Sequence, residues 1–444
     1  MWQRHLDLYV GGEQLRRAAG LYLVRRQKEP NDVYQERLSR VFYENYLGSI
    51  VDWYAATLFR TQPAISLGGM TEFYSEFLRD CDLGGRSFLE FCRAAFLQAL
   101  IFKQSYALID FPRVRERAET RAEEDELGKS RAYLVGYGPT ELINWRLDER
   151  GNYEWVVLKT ESSFQPEFLG EEEVIERRWT YYDKENFRVY AQAKRRSRAG
   201  TEEPEAALVD EGRHGLAALR RAPLVKLEVS EGLWLANKAA LLQQEHFNKS
   251  NALSWALHMG LFAMPVIYSD REWHQIVGEA YYIQLGPEDK FGWTEPEGHV
   301  YQLAAENLDR LKDEIYRVCY LMIQAGGREA RNLGQSAASK QRDQVVTHEV
   351  LRAYGDLVKE FMRQTLRLIA AARQDEVTVE VGGLDQFDVE DFSAELDNAQ
   401  RLRGLEIGSG TFAREMQKRL ALKYLEDSSQ EVKNRVVGEI ENRL

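Results

Sequence analysis

The sequence predicts an α+β protein that is mainly helical and built from two or three packing units. Three observations point there. Long stretches place apolar residues three and four apart, the spacing of one helix face, while the stretch between about 63 and 230 is rich in Val, Ile, Trp and Tyr segments separated by turn residues. The length, 444 residues, corresponds to two or three domains at roughly 150 residues each. With 44% hydrophobic and 29% charged residues the chain can build a sizeable core and is neither fibrous nor disordered in composition.

Taken in order, the first 62 residues read as helices, with Tyr34, Leu38, Val41 or Phe42, Asn45 and Leu47 continuing into Ile50, Tyr54 and Leu58, and Pro63 ends that block. Phe73 to Ala99 reads as a second helix with Phe77, Phe88, Phe91 and Ala95 on its apolar side and Leu100 continuing the stripe. The apolar run Tyr106–Phe111, closed by Pro112, predicts a buried strand. Residues 113–131 are nearly all charged or small and predict a solvated loop or exposed helix. Strands follow at 132–137, 153–160, 174–182 and 186–193, then a charged insert at 194–214 and a strand at 224–229.

From Trp234 to Met259 a long helix is expected whose middle, residues 243–251, holds Phe247 as its only apolar residue. Such a helix is not expected to lie buried in a monomer core. An irregular Gly/Pro-rich block with several aromatics runs to His299. Leu308, Leu311, Ile315, Val318 and Met322 then mark a helix with a single narrow seam. Glycines 326, 327 and 334 break it. Lys340–Arg373 is again helical, with Val346, Val350, Leu357, Phe361 and Leu368 on one face, followed by a strand at 377–381 and a helical end.

The charge balance, 59 basic against 71 acidic residues, gives −12 and argues against a clamp that holds nucleic acid by net positive charge. Cys81, Cys92 and Cys319 are too few and scattered for a disulfide framework or a thiolate zinc site, which fits a reducing compartment. Met1 to Gly12 lacks the apolar core of a signal peptide, and the most apolar run, 257–268, is too short to cross a bilayer. No catalytic pattern stands out. The histidines never fall at i, i+4; His348-Glu349 lacks the second histidine of a zinc-protease helix; and His246 and His258 are twelve apart. Gly136-Tyr-Gly138 does not complete a dinucleotide fingerprint, and Gly334–Lys340 misses the spacing of a phosphate loop. Acidic neighbours such as Asp309 with Asp313, or Glu390 with Asp391, read as solvated surface. No metal or cofactor is expected.

The order of these segments resembles the portal proteins of tailed bacteriophages, over nearly the whole chain. Local motifs agree: Gly20-Leu-Tyr-Leu23, Tyr34-Gln-Glu-Arg37, Tyr106–Pro112, Ala132–Tyr137 with Glu141–Arg146 and Gly151, and Leu257–Ile267. Ile101-Phe-Lys103 departs from the resemblance, standing where a glycine turn is more frequent.

The resemblance implies a portal fold: a wing at 1–232, a first stem helix at 233–260, a clip at 261–300, and a second stem helix at 301–325. A channel loop at 326–339, a long helix and strand returning to the wing at 340–383, and a helical crown at 384–444 complete it. It further implies a homo-oligomeric ring, usually of twelve subunits, at the capsid vertex of a virion assembled in the bacterial cytoplasm. Double-stranded DNA would pass through it without sequence preference. Expected partners are the terminase large subunit, a head-completion or adaptor protein, and the major capsid and scaffolding proteins, with no membrane and no enzymatic role.

On this reading Leu308, Leu311, Ile315, Val318 and Met322 pack the stem. Trp273, Tyr281, Tyr282, Phe291 and Trp293 bind partners at the clip. Gly326, Gly327, Arg328, Arg331, Asn332, Gln335 and Lys340 belong to the channel loop. Twelve acidic subunits, about −144 in total, would hold DNA without capturing it. Another oligomeric virion or cytoplasmic scaffold, or an enzyme of unknown mechanism, are the alternative classes.

Overall fold

The computed structural model describes residues 1–69, 72–112, 123, 128, 130–165, 173–197, 200–260, 264–268, 288, 290–294, 298–321, 337–385, 387, 399–404, 408–425 and 430–442. The fold mixes helix and sheet, as expected. In chain order the helices are α1 (Trp2–Val10), α2 (Gly12–Tyr22), α3 (Asn31–Ser39), α4 (Tyr46–Leu58), α5 (Glu72–Arg79), α6 (Phe88–Phe102), α7 (Leu235–Gly260), α8 (Gly298–Val318), α9 (Ala337–Arg373), α10 (Gly410–Tyr424) and α11 (Gln430–Asn442). The strands are β1 (Ala64–Gly68), β2 (Gln104–Asp110), β3 (Tyr133–Tyr137), β4 (Leu142–Leu147), β5 (Tyr153–Phe164), β6 (Glu173–Tyr182), β7 (Asn186–Ser197), β8 (Gly200–Glu202), β9 (Ala207–Arg213), β10 (Leu224–Glu228), β11 (Met264–Tyr268), β12 (Lys290–Thr294) and β13 (Thr378–Gly382).

The chain divides into two compact units. One comprises Met1, Gln3–Ile50 and Ala236–Gln344, the other Trp2, Val51–Leu235 and Val345–Leu444. α2 and α3 therefore pack in the unit that holds α7 and α8, and α4 is divided between the two units at Ile50.

Among the described residues of the second unit the sheets are antiparallel. β2 lies between β10 and β3; β4, β5, β6, β7 and β8 follow in order, with β9 also on β7; and β1 pairs with β13. The inward residues Tyr106, Leu108, Leu142, Val156, Leu158, Tyr182, Phe187, Val189 and Leu224 form one apolar cluster shared by the first two of these sheets. The charged insert at 194–214 is mostly strand among its described residues. β7 runs on to Ser197, and β8 and β9 return along it, because a long antiparallel ladder satisfies the backbone whatever the side chains facing water. β1, which no expectation covered, owes its place to a partner more than 300 residues away in sequence.

The expected helix from 73 to 99 is two helices. Ser87 and Glu90 form a reciprocal capping box that starts α6, and the intervening turn is closed by Asp82, whose Oδ1 accepts from the Gly84 and Arg86 amides. At the other end of α6, Lys103 takes φ 78°, the left-handed conformation glycine usually provides, and its ammonium meets Glu231 at 2.6 Å and Glu228 at 3.8 Å. The departure at Ile101-Phe-Lys103 thus keeps the turn without the glycine.

The long helix starts at Ala337, three residues earlier than expected, and its 37 residues span about 55 Å. Its buried stripe is Val350, Leu351, Tyr354, Val358, Phe361, Met362, Thr365, Leu366 and Ile369. Val346 is exposed and Leu357 and Leu368 are half-buried, so the expected face is rotated by about one position; a 3.6-residue period leaves two adjacent stripes nearly equivalent in sequence. The Tyr354 ring packs edge-on against Tyr54 and Phe96, and its hydroxyl donates to the Leu233 carbonyl at 2.5 Å. Gly355 lets the Leu384 carbonyl approach so closely that a Cβ would collide with it. The helix ends on the buried Arg373, which pairs with Asp375 at 2.8 Å, lies over the Phe73 ring and donates to the Ser130 carbonyl; the Tyr74 hydroxyl donates to the same carboxylate. α10 and α11 supply the expected helical end.

Candidate functional site

The first unit is built around α7 and α8, which run antiparallel. Lys238 Nζ donates to the Tyr320 hydroxyl at 2.5 Å, Lys249 Nζ to Asn307 Oδ1 at 2.9 Å, and the Tyr301 hydroxyl to the Ala256 carbonyl at 3.4 Å. The α7 partner rises from 238 to 256 while the α8 partner falls from 320 to 301. Between the two helices in sequence, β11 and β12 pair as an antiparallel hairpin, Met264 opposite Thr294 and Tyr268 opposite Lys290.

On α8 the buried positions are Leu311 and Ile315, four apart, and Cys319 continues the spacing just past its end, with Leu321 beyond. Leu308 and Val318 are half-buried, and Met322 lies outside the described residues. The seam therefore follows one i, i+4 row more closely than the alternating threes and fours of the expectation. The helix also stops at Val318, short of the expected 325. Tyr320 adopts φ 63° and the Leu321 amide reaches back to the Tyr316 carbonyl at 2.9 Å, a Schellman-type stop. Here Tyr rather than Gly takes the left-handed position, and the Lys238 ammonium over its ring at 4.3 Å helps hold it.

The polar middle of α7 overturns the expectation that it lies wet. Gln243, His246, Phe247, Ser250 and Asn251 recur at steps of three and one and are all buried. Three amides on this helix each grip the backbone of the N-terminal segment with both a donor and an acceptor. Gln243 Oε1 accepts from the Leu47 amide at 3.1 Å while its Nε2 donates to the Glu44 carbonyl at 2.8 Å. Asn248 accepts from the Val24 amide at 2.8 Å and donates to the Tyr22 carbonyl at 3.0 Å. Asn251 takes both the amide and the carbonyl of Phe42, at 3.1 and 3.0 Å.

These clamps explain why the expected continuous helix through residues 34–58 is broken. Residues 41–45 are neither helix nor strand, and the Phe42 amide and carbonyl and the Glu44 carbonyl are satisfied by side chains on α7 instead of by a helical ladder. Asn45 then caps α4, accepting from the Gly48 amide at 2.8 Å and donating to the Tyr9 carbonyl at 2.7 Å.

His246 sits beneath this segment, edge-on to Tyr46 at 5.1 Å, with its Nε2 3.5 Å from a Glu44 carboxylate oxygen. Burial pushes its pKa down from the ordinary 6.5, and Glu44 only partly opposes this. The three thiols are buried. Burial pushes Cys81 and Cys319 up to about 12 and raises Cys92 as well, so none is a ready nucleophile. Among the described residues no group of His, Cys, Asp and Glu is arranged to hold a metal ion, and no helix is long and apolar enough to cross a membrane.

Of the other expected site residues, Phe291 and Trp293 stand on β12, opposite Ile267 and Pro265. Trp273, Tyr281 and Tyr282 lie outside the described residues, as do Gly326, Gly327, Arg328, Arg331, Asn332 and Gln335; most of the charged stretch 113–131 does too. Lys340 is on α9, in its first turn, and not in a loop. The amide clamps were missed because an Asn, Gln and Ser cluster has the same sequence signature whether it faces water or a backbone. The available signal was the step of three and one through Phe247.

No family model matches the chain, and no curated protein matches it. Among solved structures it is similar to a chain in the neck of an empty GTA particle computed with C6 symmetry, at 15% identity and a TM-score of 0.43, covering 92% of this chain and 98% of that one. It is also similar to a chain in the virion of a native gene transfer agent (GTA) particle, at 13% identity and a TM-score of 0.42, covering 95% and 99%.

Proposed function

We propose that this chain is a portal-type ring protein of a phage-like particle, whose subunits surround a channel for double-stranded DNA at the capsid vertex. The observation that carries the reading is the unit just described: two antiparallel helices, α7 and α8, with a β-hairpin between them in sequence and a 37-residue helix soon after. That order is the one the sequence motifs resemble in portal proteins. In this reading α7 and α8 are the stem, with Leu311 and Ile315 in its packing. The segment 261–300, carrying Trp273, Tyr281, Tyr282, Phe291 and Trp293, is the clip that meets the terminase large subunit and then a head-completion protein. The glycine- and arginine-bearing segment 326–339 is the channel loop, where Arg328 and Arg331 make phosphate contacts that carry no base information.

The role is structural, and no catalytic step is assigned. Mass measurement of the native particle together with negative-stain imaging tests the reading. A closed ring with a central hole, near twelve subunits, is expected. A monomer, or a particle without a hole, would overturn it.

A further inference from the structure

The turn between α2 and α3 inverts the charge of the molecule. Residues 16–40 hold seven basic and three acidic side chains, a net of +4 in a chain of −12; Arg16 and Arg17 face Glu13 at 4.0 and 3.7 Å, and Arg40 pairs with Glu36 at 2.9 Å, which leaves the cations of the turn itself. Inside the turn, Arg25, Arg26 and Lys28 are exposed, while the one carboxylate, Glu29, is buried. Both Glu29 oxygens are taken by Arg37 at 2.8 Å, and one also accepts from the Arg26 amide at 3.0 Å. The acid that sits among these cations in sequence is thus turned inward and spent on Arg37, while Arg25, Arg26 and Lys28 stay exposed.

The turn is also preorganised. The Val24 amide is held by Asn248; the Arg25 guanidinium donates to the Glu29 carbonyl at 2.8 Å and lies over the Tyr34 ring; and Lys28 takes φ 68°. Leu23, next in the chain, lines a cleft of about 230 Å³ with Arg40, Trp255 and His258, in which an Arg40 nitrogen lies 2.8 Å from His258 Nε2.

We propose that the turn at residues 24–28 is a phosphate-contacting surface for double-stranded DNA, binding the backbone without reading sequence. A duplex presents uniform, dense negative charge and needs no shape match to a few exposed cations, and a turn whose backbone is already held lowers the entropic cost of contact. The isolated aliphatic side chains nearby, Leu21 and Val24, are too few to make an apolar anchor for a protein partner. The inference stands apart from the ring reading, because it concerns a surface on one subunit and a site other than segment 326–339.

The test is an anisotropy titration of the full-length protein with short labelled duplexes of two unrelated sequences, over a series of salt concentrations. The wild type is compared with Arg26→Gln alone and with Arg26→Gln/Lys28→Asn; asparagine suits the left-handed position. Native mass and thermal midpoint are recorded for each, which separates this result from any failure to form rings. Expected are equal affinities for the two sequences, about tenfold weaker binding by the double variant at low salt, and a salt slope smaller by about two, one unit for each lost phosphate contact. Arg26→Lys should bind like wild type. The proposal is overturned if wild type does not bind duplex, if both variants keep its affinity and slope, or if polyglutamate binds more tightly than the duplex.

Discussion

Two helices of similar prominence bury their inner faces by opposite means. In the sheet-bearing unit, α9 turns Tyr354, Val358, Phe361, Met362 and Leu366 inward, and Tyr354 stacks edge-on with Tyr54 and Phe96. In the other unit, α7 buries Leu235, Ala236, Ala239 and Ala240 in its first turns, but along 243–251 it turns Gln243, His246, Ser250 and Asn251 inward around a single Phe247. The first helix is held by removing apolar surface from water, which tolerates small shifts of side chains. The second is held by amides that each match one amide and one carbonyl of the opposing chain, which fixes register but leaves costly orphans if one partner is lost. A polar stripe on a helix therefore marks an irregular segment laid against it as readily as a wet surface.

The largest test of this contrast is Ile315→Asp. Ile315 is fully buried on the α8 seam, and an unpaired carboxylate there should cost about 5 kcal/mol and abolish assembly. Wild-type urea unfolding and native mass in this variant would remove α8 from the unit's core. Next comes a matched pair. Phe96→Ala should cost about 4 kcal/mol through cavity formation. Gln243→Leu, which adds apolar area, should still cost about 3 kcal/mol because it strands the Leu47 amide and the Glu44 carbonyl. A stabilising Gln243→Leu, read by urea unfolding, would break the distinction between the two helices.

A smaller effect is expected from pH. His246 is buried in its neutral form with its pKa below 6.5; the charges around it are Glu44 and Asp309, which favour protonation, and Lys312, which opposes it. The unfolded chain binds this proton more readily than the folded one, so stability is complete above about pH 6.5 and declines as the pH falls below it. His214, likewise lowered mainly by burial, acts in the same direction in the other unit. His246→Phe should flatten part of that decline in a thermal-midpoint series from pH 7.5 to about 5. An unchanged slope would show that His246 does not carry it. The smallest effect is Ser87→Ala, which removes one half of the capping box on α6 and should cost about 1 kcal/mol in urea unfolding without changing native mass.

Much of this was legible in the sequence. The strands at 106–111, 132–137, 174–182 and 224–229, the helix beginning near 235, the seam residues Leu311 and Ile315 and the long helix before Arg373 all follow from apolar period and turn residues. What escaped depended on partners distant in the chain. β1 exists because β13 is available to it, and the break before α4 exists because Asn251 and Gln243 satisfy residues 42–47 from about 200 positions away. The charged segment 194–214 became strand because β7 offered an open edge.

The sequence alone therefore determined the mixed class, the order and approximate extent of most elements, and the acidic balance with its local basic exception. Those are properties of single segments and of composition. Only the tertiary structure decided which way polar residues face, that Glu29 is turned inward while Arg25, Arg26 and Lys28 point out, and that the amides of α7 clamp a backbone instead of meeting water. An amide, a carboxylate or a guanidinium can satisfy its hydrogen-bonding groups equally well with solvent or with protein, so its own identity does not choose between them. The choice is made by whichever backbone or counter-charge the fold brings within 3 Å.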